Sequence, residues 1–150
     1  ANGDSPHLTE VHLIEDCIFC KIIRGEIPSF KLYEDDLTYA FMDINPLNDG
    51  HALVIPKSQV ENIYATPDEW FQPTMSTVRR IATAVNKVVQ PVGINLLQAN
   101  GPGAKQSVFH IHTHVIPRYA DDGAGMNWGM KPGDMGAIGE PAERIAAVVD

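Results

Sequence analysis

One hundred and fifty residues, 44% hydrophobic and 20% charged, suit a single globular domain with a proper core over positions 1–150. A formal net charge of −8 argues against a general nucleic-acid binder, which needs a basic surface, and leaves room for a small anion held by a few local donors. No apolar run approaches the ~20 residues of a membrane span, and the polar stretch Ala1 to Glu10 lacks the apolar centre of a signal peptide, so a cytoplasmic protein with no membrane or nucleic-acid partner is expected.

Positions 1–15 read as a loose arm, and its His7 and His12 receive no role. From Cys17 to Arg24, Ile18, Phe19, Ile22 and Ile23 give a short amphipathic helix closed by Gly25. The helix carries Cys17-x-x-Cys20, for which three readings stand. The thiols are buried small apolar groups, or half of a four-ligand zinc site, or a redox pair without the βαβ unit that normally precedes one.

Phe30 to Glu34 and Thr38 to Ile44 are expected strands joined at Asp35-Asp36. Asn45-Pro46 and Asn48-Asp49-Gly50 mark a turn, and His51 to Ile55 is an apolar strand ended by Pro56. Thr66-Pro67-Asp68-Glu69 predicts a helix start, with the Thr66 hydroxyl as cap, Pro67 in the first helical position and Glu69 completing a capping box. Met75, Val78, Ile81, Ala82, Val85 and Val88 carry that helix to about Gln90, with Pro73 expected to kink or delay it. Gly93 to Ala99 and Val108 to Pro117 are the fourth and fifth strands. The tail, 119–150, contains Trp128 and many glycines, and is expected to be irregular until a short helix begins at Pro141. Short connections favour antiparallel pairing, so the expected class is α+β: a five-stranded, mostly antiparallel sheet with one long and one short helix.

Three of the six histidines, His110, His112 and His114, occupy alternate positions of the fifth predicted strand. On a strand they share one face, about 7 Å apart. Such a row is costly unless it binds or reacts with something. Taken alone it fits a zinc ligand pattern, metal-free catalysis or a structural cluster. Upstream lies Asn100-Gly-Pro-Gly-Ala-Lys-Gln-Ser107, whose glycines let backbone N–H groups approach an oxyanion. A P-loop reading fails, because Lys105 is followed by Gln106 and the loop leads into a strand. A donor loop feeding a histidine strand suits chemistry at phosphorus, where neutral imidazole is a competent nucleophile.

The run His110-Ile-His-Thr-His114-Val-Ile resembles the signature of the histidine triad (HIT) superfamily. Cys17-Ile-Phe-Cys-Lys-Ile-Ile, Tyr39-Ala-Phe-Met-Asp-Ile-Asn-Pro46 and Gly50-His-Ala-Leu-Val-Ile-Pro-Lys57 are similar to the family's opening helix and its second and third strands. The resemblance covers Cys17 to Arg118 and is nearest the nucleoside phosphoramidase (protein kinase C interacting protein-like) branch and its bacterial relatives. It implies a HIT-like fold and a hydrolase or transferase acting at the α-phosphate of nucleoside phosphoramidates or dinucleoside polyphosphates.

By match to the motif, His112 would be the nucleophile that becomes nucleotidylated, with His114 orienting it. His110 would complete the network, and His51 would stand near the leaving group. Ser107 and Asn100 would donate to phosphate oxygens with Gln106 beside them, and Asp43 would accept from the ribose. Ile18, Phe19, Ile22, Phe41, Ile44 and Leu53 would hold a purine face with weak base selectivity. The resemblance further implies a purine nucleotide substrate, a homodimer joined through the long helix and fourth strand, and no required cofactor.

Two departures matter. Gln59 stands where zinc-binding relatives place a histidine, which leaves Cys17, Cys20 and His110 as a partial structural zinc set. Lys105 stands where relatives usually have glycine. The alternatives are a metal-dependent hydrolase using the histidine row as ligands, and a catalytically weak nucleotide-binding or scaffold protein.

Overall fold

The computed structural model describes residues 10–125 and 129–150. His7 and Trp128, and the first nine positions of the expected arm, lie outside the described residues. The elements run α1 (Ile18–Ile23), β1 (Lys31–Glu34), β2 (Thr38–Met42), β3 (Ala52–Pro56), α2 (Asp68–Val89), β4 (Gly93–Leu97), β5 (Thr113–Arg118) and α3 (Met135–Ala146). Five strands form one sheet in the order β1-β2-β3-β5-β4, and every neighbouring pair is antiparallel. The α+β class and strand number match the expectation.

Alternation along the strands places two cores on the two faces of the sheet. Tyr39, Phe41, Leu53 and Ile55 meet Phe19, Cys20 and Ile22 of α1 on one face. Ala40, Ala52, Val54 and Val115 meet Val78, Ile81 and Val85 of α2 on the other. Because both faces are covered, β2 and β3 are apolar almost without interruption. Ile81 is one of the α2 residues buried in this contact and is 5% exposed. Replacing Ile81 with alanine is expected to cost about 3 kcal/mol, by lost transfer energy plus a cavity. A urea midpoint that falls at constant m, with unchanged KM for any nucleotide, is the expected readout.

Several boundaries differ from the sequence expectation, each for a local reason. β5 begins at Thr113, not Val108, so only His114 of the histidine row sits on a regular strand. Pairing of β3 with β5 stops at Val54↔Thr113. Beyond it Pro56 has no N–H to offer, and its carbonyl is taken by the His110 ring. The segment before Thr113 turns instead to residue 60, where Ile111 N–H meets the Val60 carbonyl. β2 ends at Met42, β3 starts at Ala52 and β4 ends at Leu97, each short of the expected span.

The long helix starts one residue later than expected, with Pro67 as its N-cap and no side-chain cap. The Thr66 hydroxyl is turned back to the Asn62 carbonyl. Pro73 lies inside a continuous 22-residue helix. In the tail α3 begins six residues before Pro141, because the Asp134 carboxylate caps Ala137 N–H. No helix among the described residues is long and apolar enough to cross a membrane.

Candidate active site

A cleft of about 220 Å³ opens between α1, the outer ends of β2 and β3, and the segment entering β5. Ile18, Phe19, Ile22, Phe41, Ile44 and Leu53 all line it, together with Asp43, Ser107, His112 and His114. Ile27, Pro28, Ser29, Met42, Asn45 and Val108 also line it and were not anticipated. Ile27 and Pro28 follow the α1 cap in the Gly25-Glu-Ile-Pro28 turn. Most of the lining is apolar, and two imidazoles, His112 and His114, complete it.

Three backbone groups decide where the protons of four histidines sit, since an amide N–H only donates and a carbonyl only accepts. Leu47 N–H donates to His51 Nδ1 at 2.9 Å. In the neutral ring that leaves the His51 proton on Nε2, 2.8 Å from His114 Nδ1. His114 Nδ1 therefore accepts, and His114 carries its own proton on Nε2. His112 Nδ1–H donates to the His110 carbonyl at 2.8 Å, which leaves His112 Nε2 a bare lone pair. His110 Nε2–H donates to the Pro56 carbonyl at 2.8 Å, so its Nδ1 is an acceptor facing two thiols.

The neutral forms are the favoured ones. Burial pushes His110 down to about 4, with the neighbouring His112 adding to the shift. Burial again comes first for His114, also lowered to about 4, followed by the charges of His112 and His51. His112 and His51 are lowered too, chiefly by burial, with the nearby Asp43 carboxylate pulling the other way. The site thus presents one imidazole lone pair (His112 Nε2) and one imidazole N–H (His114 Nε2) on rings whose centroids are 5.1 Å apart. The Phe19 ring stands edge-on to His112 at 5.1 Å and restricts its rotation.

The His51–His114 relay holds a proton without conducting one. Its far end is the Leu47 amide, which cannot give up its hydrogen to replace one lost at His114. His114 is therefore suited to hydrogen-bond donation and not to general acid transfer. Asp43 Oδ2 lies 3.4 Å from His51 Nε2 and 3.8 Å from His114 Nδ1, while its Oδ1 accepts from Asn45 N–H.

Four sequence-selected residues do not line the cleft. His51 sits behind His114. The His110 ring is fully buried and turned toward Cys17 and Cys20. Asn100 Oδ1 accepts from Ile63 N–H, and its Nδ2 donates to Gln98 Oε1. Gln106 donates to the Glu61 and Val108 carbonyls and accepts from Gly101 N–H, closing the loop on itself. Lys105 occupies the left-handed region at φ 70°, a conformation that costs a side chain about 1 kcal/mol and suits the glycine expected there.

Two groups of potential metal ligands occur among the described residues, and neither joins all three histidines of the row. Asp43, His51 and His114 form one, but there His51 Nε2 holds the proton that Leu47 forces onto it. Cys17, Cys20 and His110 form the other. His110 Nδ1 lies 3.4 Å from Cys17 Sγ and 3.6 Å from Cys20 Sγ. Zn–S bonds of about 2.3 Å and a Zn–N bond of about 2.0 Å at a tetrahedral angle put sulfur and nitrogen about 3.6 Å apart. The donor set therefore fits zinc with three protein ligands. The side chain at position 59 gives no fourth, since Gln59 donates to the Phe109 carbonyl. Burial raises the Cys20 thiol to about 11, so zinc would displace a bound proton.

A family model described as "HIT domain" matches residues 24–121. A crystal structure of a HIT family member from Bacillus subtilis shares 43% identity, covers 91% of this chain and 99% of that one, and superposes with a TM-score of 0.84. Adenosine 5'-monophosphoramidase HNT1 from Candida albicans is 38% identical over 134 residues, 86% of this chain and 88% of the relative. A zinc-bound histidine triad family protein from Mycobacterium smegmatis is 33% identical, over 88% of this chain and 97% of that one, with a TM-score of 0.69.

Proposed function

This chain belongs to the HIT domain family, and from that membership we propose that it is a hydrolase cleaving at the α-phosphate of a purine nucleotide through a nucleotidyl-His112 intermediate. The substrates are adenosine phosphoramidates or dinucleoside polyphosphates, a class supported by the name of the phosphoramidase relative. One observation carries the reading: the only ring of the row with a bare nitrogen on the cleft is His112, and the adjacent His114 offers an N–H.

The purine lies between the apolar walls made by Ile18, Phe19, Ile22, Phe41, Ile44 and Leu53, and Asp43 accepts from the ribose hydroxyls. His112 Nε2 forms a bond to the α-phosphorus as the bond to the leaving nitrogen or oxygen breaks and takes its electron pair. The leaving group acquires a proton from water. His114 Nε2–H and Ser107 stabilise the phosphoryl oxygens, the work of fixed donors aimed at developing charge. Water then attacks phosphorus and releases the nucleotide from His112. Asn100, Gln106 and Lys105 act on the shape of the donor loop, and His51 acts through His114.

Zinc, when bound by Cys17, Cys20 and His110, would supply a crosslink between α1 and the segment entering β5, with no part in the reaction. Two copies pairing through the β4 edge, where Leu96 and Leu97 are exposed, make the expected homodimer. Free thiols at Cys17 and Cys20 support a cytoplasmic setting.

Rapid quenching of the enzyme with adenosine 5'-phosphoramidate, followed by peptide mass analysis, tests the reading. One adenylyl group on His112 at early times is expected. Turnover with no adduct on any histidine, and with inversion of configuration at an isotopically chiral α-phosphorus where a double displacement gives retention, would remove it.

A further inference from the structure

The turn between β2 and β3 contributes no side chain of Asn48, Asp49 or Gly50 to the cleft, yet it carries the amide that sets the tautomer of two rings. That turn is gripped from outside. Asn48 Nδ2 donates to the Pro117 carbonyl at 3.0 Å and to Asp122 Oδ2 at 2.9 Å, which uses both of its hydrogens. The Asn48 carbonyl accepts from His51 N–H, closing the turn immediately around Leu47. The Tyr119 hydroxyl holds the next residue through the Asp49 carbonyl at 2.7 Å.

Asp122 is itself locked. Arg118 binds both of its oxygens, at 2.8 and 2.9 Å, and reaches on to the Ala124 carbonyl and Asn95. Tyr119 N–H and Ala124 N–H complete its shell. A bidentate, nearly buried pair of this kind is geometrically rigid.

We propose that Asn48, anchored by the Arg118–Asp122 pair, is a positioning residue for the reaction: it holds the Leu47 amide on His51 Nδ1 and thereby keeps the His114 proton on Nε2, facing the phosphoryl group. The link runs Asp122, Asn48, Leu47, His51, His114, and it rests on the hydrolase reading only at its last step. Without the anchor, Leu47 N–H leaves His51 Nδ1, and the His51 proton is free to occupy that nitrogen. His114 Nδ1 then loses its donor, and its own proton is no longer confined to Nε2. Donation to phosphorus weakens, while the apolar walls that bind the base are untouched.

The test is Asn48→Ala in the full chain, read first by nitrogen-15 NMR of the imidazoles without substrate. Wild type should show His51 and His114 as Nε2–H tautomers, and the variant should show His51 shifted toward Nδ1–H. With adenosine 5'-phosphoramidate, kcat should fall about tenfold, part of the effect of losing one oxyanion donor, and KM should change less than about threefold. If the alanine variant does not fold, Asn48→Ser, too short to span to Asp122, gives the same readout. Wild-type tautomers in a folded variant overturn the proposal, even where its melting temperature falls. A tautomer shift with no adenylyl-histidine in either protein sustains the positioning link and counts against the hydrolase reading instead.

Discussion

Replacing His112 with alanine is expected to lower turnover of adenosine 5'-phosphoramidate by roughly 10⁴-fold or more, as removal of a nucleophile does in other covalent mechanisms. Nucleotide affinity should hold within about threefold, because the apolar walls and Asp43 remain and alanine leaves the donors of Ser107 and His114 in place. The loss should therefore fall on kcat, and the quenched variant should carry no adenylyl group. No other ring can substitute. His110 faces the cysteines, and His51 is spent on Leu47 and His114. A variant retaining wild-type kcat would show that His112 does not attack phosphorus. The acid limb of wild-type kcat/KM adds a second check. Burial lowers the His112 ring below its ordinary 6.5, so activity should persist below pH 6.5 before protonation removes the lone pair.

Acid should also unfold the protein over a defined window. In the folded state His110 and His114 are each lowered from 6.5 to about 4. An unfolded chain binds those two protons near pH 6.5, while the folded chain refuses them until about pH 4. Stability is therefore intact above pH 6.5 and is lost as pH falls from there toward 4. A shift of this size at two rings amounts to something on the order of 5 kcal/mol, and His51 and His112 act in the same direction. That is comparable with the whole stability of an ordinary domain. Urea melts at pH 7, 6, 5 and 4 should show the midpoint dropping steeply between the last three. A flat profile would mean that these rings are already charged, or solvated, in the native protein.

Much of the frame was legible because it is written in short-range periodicity. Tyr39 and Phe41 against Ala40, and Leu53 and Ile55 against Ala52 and Val54, divide between the two faces as alternation requires. The apolar stripe of α2 and the pair of thiols on α1 are equally local. The six apolar residues that the resemblance assigned to a base pocket all line one cleft, alongside Ile27, Pro28, Met42 and Val108, which it did not name.

What escaped the sequence depends on partners distant along the chain. Thr66 looked like a helix cap until Asn62 offered a closer carbonyl. Asn100 and Gln106 have the chemistry of phosphate donors, yet backbone groups of residues 61 to 63 and of the loop itself occupy them. The late start of β5 comes from Pro56, on another strand. Asp122 and Asn48 are separated by 74 positions, and no local pattern joins them. The early start of α3 was hidden by its glycines, whose poor helix propensity outweighed the capping carboxylate at Asp134.

The His112 ring leans on the main chain of residue 110 and not on that residue's imidazole. A peptide carbonyl is common to all twenty amino acids, so the aim of His112 is stored in the one part of residue 110 that substitution cannot alter. A substitution at position 110 that keeps the backbone path therefore leaves the His112 Nδ1–H bond in place, while it removes the ring's contacts to the Pro56 carbonyl and the two cysteines.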